Sequence, residues 1–212
     1  MKPRVIVNCA MSADGKIALP TRKQTRISNE EDIRRVHNLR NSVDAILVGV
    51  GTVIADDPSL LVRPEYVSEV RNPVRIVLDS RCRSPEDAAV LDGKAQTIIV
   101  TGENCAKSLG GSETIRCGSG RVDLPRLMSL LHERGYQTLL VEGGGEVIWS
   151  FFREGLVDEF KIFIAPLVIG GRESPTPADG DGVSSLEDLF RLTLVSHTEL
   201  GGGILLEYVV EE

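Results

Sequence analysis

Short apolar runs, each bounded by glycine, proline or charged residues, recur along most of this chain. Runs of this length that end in turn-forming residues are typical of buried strands. We predict strands at residues 5–9, 45–50, 74–78, 97–101, 138–141, 158–168, 192–198 and 204–210.

Helical periodicity lies between several of these runs. Apolar residues recur every three or four positions from Ile33 to Val43, which predicts an amphipathic helix over residues 29–42. Ser28 and Glu31 have the spacing of a capping box at its start. Two further helices are predicted, at residues 123–135 and 147–154.

The order of these elements predicts the fold. Strands and helices alternate first, and the chain ends in two strands joined through glycines 201–203, which is a hairpin signal. This order predicts an α/β fold with a mixed, mostly parallel sheet, helices on both faces and an antiparallel edge. Residues 103–120 and 173–183 are rich in loop-forming residues and are predicted to be irregular. No linker divides the chain, so we expect one domain over residues 1–212.

The sequence ILVGVGTVIADDPSLLVR, residues 46–63, joins a buried-type run to an acidic turn and an arginine. Two glycines at the end of the run allow a ligand or another backbone to come close. In open α/β sheets, ligands bind beyond the carboxyl ends of the strands. We therefore expect Thr52, Asp56 and Arg63 to lie near a binding site.

A second candidate is the run EGGGE, residues 142–146, between a predicted strand and a predicted helix. Free backbone N–H groups at such a helix start, together with the helix dipole, bind phosphate groups. The run lacks the third glycine of the dinucleotide fingerprint, where Ile148 stands, and it lacks the Gly-Lys-Ser/Thr of a Walker loop. A phosphate loop and a tight turn are both compatible with it.

Composition narrows the class of function. The chain has 212 residues, 42% hydrophobic content and a net charge of −7, which suits a globular core and disfavours a nucleic-acid partner. We find no signal-peptide pattern and no run long enough for a membrane span. The four cysteines show no C-x-x-C spacing, so we expect reduced thiols in a cytoplasmic protein. No cysteine and histidine cluster has the spacing of a zinc site, and we expect no metal.

Four groups of residues, in order along the chain, resemble the reductase of riboflavin biosynthesis. The pattern G-x-G-T-x-x-x-D-D-P-x-L-x-x-R covers residues 49–63, with SADGK at 12–16, EGGG at 142–145 and IAP followed by GG at 164–171. That family includes the reductase half of the bacterial deaminase-reductase and the free-standing archaeal and fungal reductases. The resemblance covers nearly the whole chain and implies the dihydrofolate reductase-like fold. The deaminase signature H-x-E…P-C-x-x-C is missing, so only the reductase part is expected.

The resemblance also implies a reaction and residue roles. It implies NADPH as the cofactor and reduction of the ribosylamino side chain of a pyrimidine phosphate to the ribitylamino product. The implied cofactor-binding residues are Ala10, Thr52, Asp56, Ser80, Arg81, Gly143, Gly144, Gly145 and Glu146. The implied substrate-binding residues are Arg40, Leu60, Arg63 and Glu142, with Arg63 at the ribose phosphate. The family also contacts ligand near Gln24 and Arg26, and it forms homodimers.

Several alternatives stay open. The substrate is 2,5-diamino-6-ribosylamino-4(3H)-pyrimidinone 5′-phosphate or its deaminated counterpart, 5-amino-6-ribosylaminouracil 5′-phosphate, and a free-standing chain favours the first. A pterin or folate reductase and a catalytically silent nucleotide-binding module are the further alternatives. The proton donor is unassigned, and the candidates are water, Asp57 and Glu142.

The choice between NADPH and NADH depends on the end of the strand at 74–78. Asp79 has the position of an acidic residue that binds the ribose 2′-hydroxyl of NAD. Ser80 and Arg81 follow at once and suit a 2′-phosphate better, so we expect NADPH. His37, on the first helix, is expected to be exposed or only partly satisfied.

Overall fold

A computed structural model of the protein describes residues 1–22, 25–105 and 109–211. The chain divides into two compact units, which are described separately. The first unit is Met1–Arg4 with His37–Val141, and the second unit is Val5–Val36 with Glu142–Glu212. The prediction of a single domain over residues 1–212 stays a prediction.

The described residues form nine strands and four α-helices. In chain order these are β1 (Arg4–Ser12), α1 (Glu30–Ser42), β2 (Ala45–Gly49), α2 (Val50–Asp56), β3 (Val74–Leu78), β4 (Thr97–Thr101), β5 (Glu113–Arg116), α3 (Leu124–Glu133), β6 (Thr138–Val141), α4 (Gly145–Arg153), β7 (Glu159–Ala165), β8 (Leu192–Leu200) and β9 (Gly203–Val210).

The first unit contains a parallel sheet in the order β5-β4-β3-β2-β6. Every residue of β2 and of β4 is buried, as expected for apolar strands covered on both faces. The predicted bounds of β3, β4 and β6 agree with the structure. Helix α3 begins after Asp123, whose carboxylate accepts a hydrogen bond from the N–H of Arg126 at 2.9 Å.

The second unit contains the strand order β1-β7-β9-β8. Strands β1 and β7 pair in parallel, whereas β9 pairs antiparallel with both β7 and β8. Gly201 and Gly202 form the β8–β9 turn with φ angles of 56° and 85°, which a two-residue hairpin with left-handed central residues requires. The predicted mixed, mostly parallel sheet with an antiparallel edge is confirmed.

Two sequence predictions about secondary structure were wrong. Strand β5 lies inside the segment 103–120 that we expected to be irregular, and only Ile115 of its four residues is buried, so it lacks an apolar run. Helix α2 follows β2 directly, with Val50 and Val53 buried, where we expected a strand end and a turn. A short apolar run does not distinguish a strand from the start of a buried helix.

Two local features also differ from expectation. The N–H of Asp32 donates to Asn29 Oδ1 at 2.9 Å, so Asn29 rather than Ser28 caps α1. Cys82 and Cys105 form a disulfide with their Cα atoms 6.2 Å apart, a separation within the normal range. The expectation that all four cysteines are reduced was therefore wrong for this pair, because their spacing along the chain does not show that two neighbouring strand ends bring them together.

Candidate functional site

A cleft of about 440 Å³ opens beyond the carboxyl ends of β3 and β4 in the first unit. It is lined by Ser80, Arg81, Cys82, Gly102, Asn104, Cys105 and Gly120. Two of the predicted cofactor-binding residues, Ser80 and Arg81, thus lie in one cavity. Its position agrees with the rule that ligands bind at the carboxyl ends of parallel strands.

Ser80 and Arg81 offer hydrogen-bond donors in this cleft. Ser80 Oγ accepts the N–H of Val122 at 3.2 Å, which fixes the hydroxyl oxygen, and the hydroxyl hydrogen has no acceptor among the described residues. Arg81 is exposed, and its guanidinium has no ion-pair partner within residues 1–22, 25–105 and 109–211. A hydroxyl and an unpaired guanidinium in one cleft suit an anionic oxygen group.

Asp79, next to this pair, is fully buried and belongs to the protein interior. Its Oδ1 accepts the N–H of Arg83 at 2.9 Å, and its Oδ2 accepts both the N–H and the hydroxyl of Ser84 at 2.7 Å. Both carboxylate oxygens are therefore occupied by the loop that follows β3. Asp79 shapes that loop and is not among the residues that line the cleft.

The acidic turn after α2 contains two residues with left-handed backbones. Asp57 has φ 41° and Leu60 has φ 55°, and Leu60 is also 3% exposed. A left-handed backbone costs a residue other than glycine roughly 1–2 kcal/mol, and such strain is concentrated at functional sites. Asp57 Oδ1 accepts the N–H of Ala89 at 2.7 Å, which ties the turn to the segment before β4.

Thr52 and Asp56 both lie on α2 and are half-buried. The helix begins immediately after β2, so Thr52 lies in its first turn and Asp56 is its last residue. Arg40 is half-buried near the end of α1, in the first unit with Thr52 and Asp56, and it has interactions within the protein.

Arg63 lies at the start of a short 3-10 turn, Pro64–Tyr66. Its N–H donates to His37 Nδ1 at 3.3 Å, and its carbonyl accepts the N–H of Tyr66 at 3.2 Å. The Arg63 side chain is exposed and, among the described residues, has no hydrogen-bond or ion-pair partner. The backbone is held at two points while the guanidinium stays open to a ligand.

The sequence analysis assigned no functional role to His37. It is 5% exposed and stacks on Tyr66, with ring centroids 4.9 Å apart and an interplanar angle of 13°. The alternative of an exposed side chain was wrong, whereas the ring does have a hydrogen-bond partner at Nδ1. His37 stands four residues after Ile33, on the same face of α1, and this spacing was the available signal that it is buried.

The glycine run lies in the second unit, at the start of α4. Gly144 has φ 64° and precedes the helix without any side-chain cap. A Cβ on Gly145 would lie 2.4 Å from the carbonyl oxygen of Thr176, so only glycine fits there. The uncapped N–H groups at the start of a nine-residue helix suit an anion, and Glu146 next to them is exposed.

The remaining predicted residues of the second unit are Ala10 and Glu142. Ala10 is half-buried on β1 and lies opposite Phe163 of β7. Glu142 is half-buried at the end of β6 and has interactions within the protein. Arg26 is exposed and pairs with Glu30 at 3.5 Å, and Gln24 lies outside the described residues.

The SADGK and GG motifs are connected through Asp14. Its carboxylate accepts the Ser12 hydroxyl at 2.6 Å and the N–H groups of Ile169 and Gly170 at 3.0 and 2.7 Å. The Ser12 hydroxyl, followed by these amides, lowers the pKa of Asp14 to about 2. This motif therefore stabilises a turn. Among the described residues, no group of histidine, cysteine and acidic side chains could hold a metal ion.

Comparison with known proteins gives close relatives over the full chain. The chain is 43% identical over 216 residues to the 2,5-diamino-6-ribosylamino-4(3H)-pyrimidinone 5′-phosphate reductase of Methanothermobacter thermautotrophicus, covering 100% of both proteins. It is 45% identical over 193 residues to the reductase of the same name from Archaeoglobus fulgidus, covering 85% of this chain and 88% of that protein.

Solved structures with the same fold include a bifunctional deaminase-reductase and a dihydrofolate reductase. The Thermotoga maritima diaminohydroxyphosphoribosylaminopyrimidine deaminase/5-amino-6-(5-phosphoribosylamino)uracil reductase matches with a TM-score of 0.85 and 26% identity, over 99% of this chain and 57% of that one. The chain thus spans little more than half of that two-function protein. Dihydrofolate reductase from Enterococcus faecalis, complexed with NADP(H), matches with a TM-score of 0.54 and 11% identity, over 99% and 97% of the two chains.

The predicted dihydrofolate reductase-like fold is confirmed by these structures. A family model described as the RibD C-terminal domain matches residues 3–206. Because the match includes nearly every residue, the chain belongs to the RibD C-terminal domain family, the reductase family that its motifs resemble.

Proposed function

We propose that the chain uses NADPH to reduce the ribosylamino side chain of 2,5-diamino-6-ribosylamino-4(3H)-pyrimidinone 5′-phosphate to the ribitylamino group. The full-length relatives at 43% and 45% identity are reductases named for that compound. The observation that carries the proposal is a pair of exposed arginines without acidic partners among the described residues, Arg63 and Arg81. The proposed reaction needs one cationic side chain at the 5′-phosphate of the substrate and another at the 2′-phosphate of the cofactor.

The choice of NADPH over NADH rests on Asp79, Ser80 and Arg81. A reductase of this family uses a nicotinamide cofactor, and the ribose 2′ position distinguishes the two forms. Asp79 is fully buried with both oxygens occupied, which removes the acceptor that a ribose 2′-hydroxyl would use. Ser80 and Arg81 line the cleft and offer donors to a 2′-phosphate.

The other cofactor contacts follow from local geometry. The uncapped start of α4, at Gly143, Gly144, Gly145 and Glu146, would hold the pyrophosphate through backbone N–H groups. In the first unit, Thr52 and Asp56 would contact the nicotinamide end. In the second unit, Ala10 is the proposed cofactor-binding residue on β1. In the first unit, Arg40, Leu60 and Arg63 are the proposed substrate-binding residues. In the second unit, Glu142 is the proposed substrate-binding residue. The strained backbone of Leu60 supports a role for its turn in ligand binding.

The reaction needs one hydride and one proton. Bound NADPH supplies the hydride. The bond between C1′ and the ring oxygen breaks, C1′ gains the hydride, and the ring oxygen takes a proton to become a hydroxyl. Arg63 would hold the 5′-phosphate so that C1′ has a fixed position during the transfer. Asp57 and Glu142 remain the candidate proton donors beside water.

An NADPH-oxidation assay tests the substrate. The diaminopyrimidinone ribosyl phosphate and its deaminated counterpart are compared under identical conditions, with absorbance at the nicotinamide band as the readout. We expect a higher kcat/KM for the diamino compound. Faster turnover of the deaminated compound would replace this substrate with the alternative one, and tight NADPH binding without turnover of either compound would identify a silent binding module.

We also propose a homodimer, because the edge of the second unit exposes apolar residues. Leu194 and Val195 of the edge strand β8 are 49% and 64% exposed, and Leu186 in the preceding segment is 81% exposed. Exposed strand edges and apolar patches are normally covered by a partner. Sedimentation is expected to give a dimer at micromolar concentration, and a monomer there would refute this proposal.

The location of the protein in the cell stays a prediction. Within the described residues, no helix is both long enough and apolar enough to span a membrane.

A further inference from the structure

We propose that His37 is a positioning residue for Arg63 and thereby sets how strongly the enzyme binds the substrate phosphate. This inference rests on the proposed function, in which Arg63 binds that phosphate. It concerns a residue that neither the motifs nor the resemblance singled out.

The hydrogen bond between the two residues joins a helix to a loop. His37 Nδ1 accepts the backbone N–H of Arg63 at 3.3 Å. An accepting Nδ1 carries no proton, so the neutral ring has its proton on Nε2. Because the bond is made to the backbone, it fixes the place from which the Arg63 side chain starts and leaves all the guanidinium donors available.

The His37 ring is itself held firmly. It is 5% exposed and lies nearly parallel to the Tyr66 ring, at a centroid distance of 4.9 Å. The N–H of Tyr66 returns to the carbonyl of Arg63 at 3.2 Å. His37 therefore contacts both ends of the 3-10 turn, through a hydrogen bond at Arg63 and through ring stacking at Tyr66.

The neighbouring residues of α1 hold the rest of the loop. Asn38 Nδ2 donates to the carbonyl of Tyr66 at 3.3 Å, and Asn41 Nδ2 donates to the carbonyl of Glu69 at 3.0 Å. Asn41 Oδ1 accepts the N–H of Arg71 at 2.7 Å. One edge of α1 thus holds residues 63–71 at several points, and His37 provides the point nearest the guanidinium.

Positioning matters because the Arg63 side chain has no hydrogen-bond or ion-pair partner in the part of the chain that the structure describes. An exposed arginine without an ion pair samples many rotamers, and a ligand must order it on binding. Fixing the backbone removes part of that cost before the substrate arrives. Loosening the backbone should therefore raise the KM for the phosphorylated substrate while the chemical step, kcat, changes little.

Two substitutions separate the hydrogen bond from the stacking. His37→Phe keeps an aromatic ring against Tyr66 and removes the acceptor. His37→Asn loses the ring, but its Oδ1 stands the same number of bonds from Cα as Nδ1 and preserves an acceptor. Both variants are assayed for KM of the phosphorylated substrate, KM of NADPH, kcat and denaturant midpoint.

We expect His37→Phe to raise the substrate KM about two- to tenfold, the effect of one ordinary hydrogen bond, with kcat and the NADPH KM nearly unchanged. His37→Asn should have a substrate KM closer to the parent value although it lowers the denaturant midpoint more. If His37 only stabilises the fold, the variant with the lower denaturant midpoint should also have the higher substrate KM. That result would overturn the proposal.

A double variant separates this inference from the proposed function. If His37 acts through Arg63, His37→Phe should have no further effect on the substrate KM in an Arg63→Ala background. If Arg63→Ala raises the KM and His37→Phe does not, only the role of His37 is wrong. If Arg63→Ala leaves the KM unchanged, the phosphate role of Arg63 is wrong, and the role of His37 falls with it.

Discussion

The two ends of strand β3 hold arginines in opposite situations. Arg75, near the start of the strand, is fully buried, and Arg81, just beyond its end, is exposed. The Arg75 guanidinium donates to Thr97 Oγ1, Asp92 Oδ1 and the carbonyls of Ser59, Ala89 and Ala95 at 2.8–3.4 Å. No such partner for Arg81 lies within the described residues.

This difference separates structural cations from candidate ligand-binding ones. A buried guanidinium is stable only when its donors are satisfied and its charge is paired, and Arg75 meets both conditions. Arg81 and Arg63 meet neither condition, and each follows a segment that leads away from the carboxyl end of a parallel strand. At that edge of a sheet, open donors are available to a ligand.

The largest effect is expected at Arg75. Arg75→Met removes the donors and leaves Asp92 and the surrounding carbonyls without their partner, so the free energy of unfolding should fall by roughly 3–5 kcal/mol. The matched control is Arg81→Met at the other end of the strand, for which we expect a change within about 0.5 kcal/mol. Both free energies are measured by denaturant unfolding. An equal fall in the two variants would contradict the claim that Arg75 is structural and Arg81 is not.

Arg81 should affect the preference for NADPH over NADH, whereas Arg75 should affect the free energy of unfolding. Arg81→Ala is expected to lower the ratio of kcat/KM for NADPH to that for NADH by about tenfold or more, because a charge-assisted hydrogen bond to the 2′-phosphate is lost. Arg83→Ala is the control, since Arg83 is also exposed but does not line the cleft. A parent enzyme that uses NADH equally well, or an unchanged ratio in Arg81→Ala, contradicts this assignment.

The disulfide at the same cleft should have a smaller effect. It joins Cys82, which follows Arg81, to Cys105, so Cys82→Ser is expected to weaken NADPH binding by less than tenfold and to leave the substrate KM unchanged.

Cys9 and Cys117 are the free cysteines. Thiol titration of the unfolded protein should therefore give two thiols before reduction and four after it, and four before reduction would exclude the disulfide.

Among the acidic residues, Asp14 resembles Asp79 because its carboxylate is also occupied by backbone amides. The Ser12 hydroxyl, with these amides, lowers the pKa of Asp14 from 3.8 to about 2. A pKa lowered by folding stabilises the protein above pH 4, and this contribution is lost as the pH falls from about 4 to about 2. Asp14→Asn should show a weaker fall in unfolding free energy over that range, and a profile identical to the parent's would contradict the assignment.

Much of the fold could be predicted from the sequence because most residues of the buried strands are apolar, although β3 also contains the buried Arg75. The bounds predicted for β3, β4 and β6 agree with the structure for this reason. Strand β5 was missed because it has one buried side chain, and α2 was missed because its apolar residues continue the run of β2. Periodicity and composition detect apolar runs and do not detect elements that depend on neighbours distant in sequence.

The candidate site shows the same limit. The motif in residues 49–63 points to Arg63, and the sequence Ser80-Arg81 after β3 points to Arg81. No local pattern shows that Asp79 turns into the interior, that His37 holds the backbone of Arg63, or that Cys82 meets Cys105. Each of these depends on contacts between segments that are far apart along the chain.

The central claim is that Arg63, an exposed arginine without a side-chain partner among the described residues, recognises the substrate phosphate. The most direct test measures kcat/KM for the phosphorylated substrate and for its dephosphorylated form, in the parent and in Arg63→Ala. In the parent, removal of the phosphate should lower kcat/KM about ten- to a hundredfold, since a hydrogen bond to a charged group is worth roughly 1.5–3 kcal/mol. In Arg63→Ala most of that loss should disappear, whereas an equal loss in both proteins would contradict the claim.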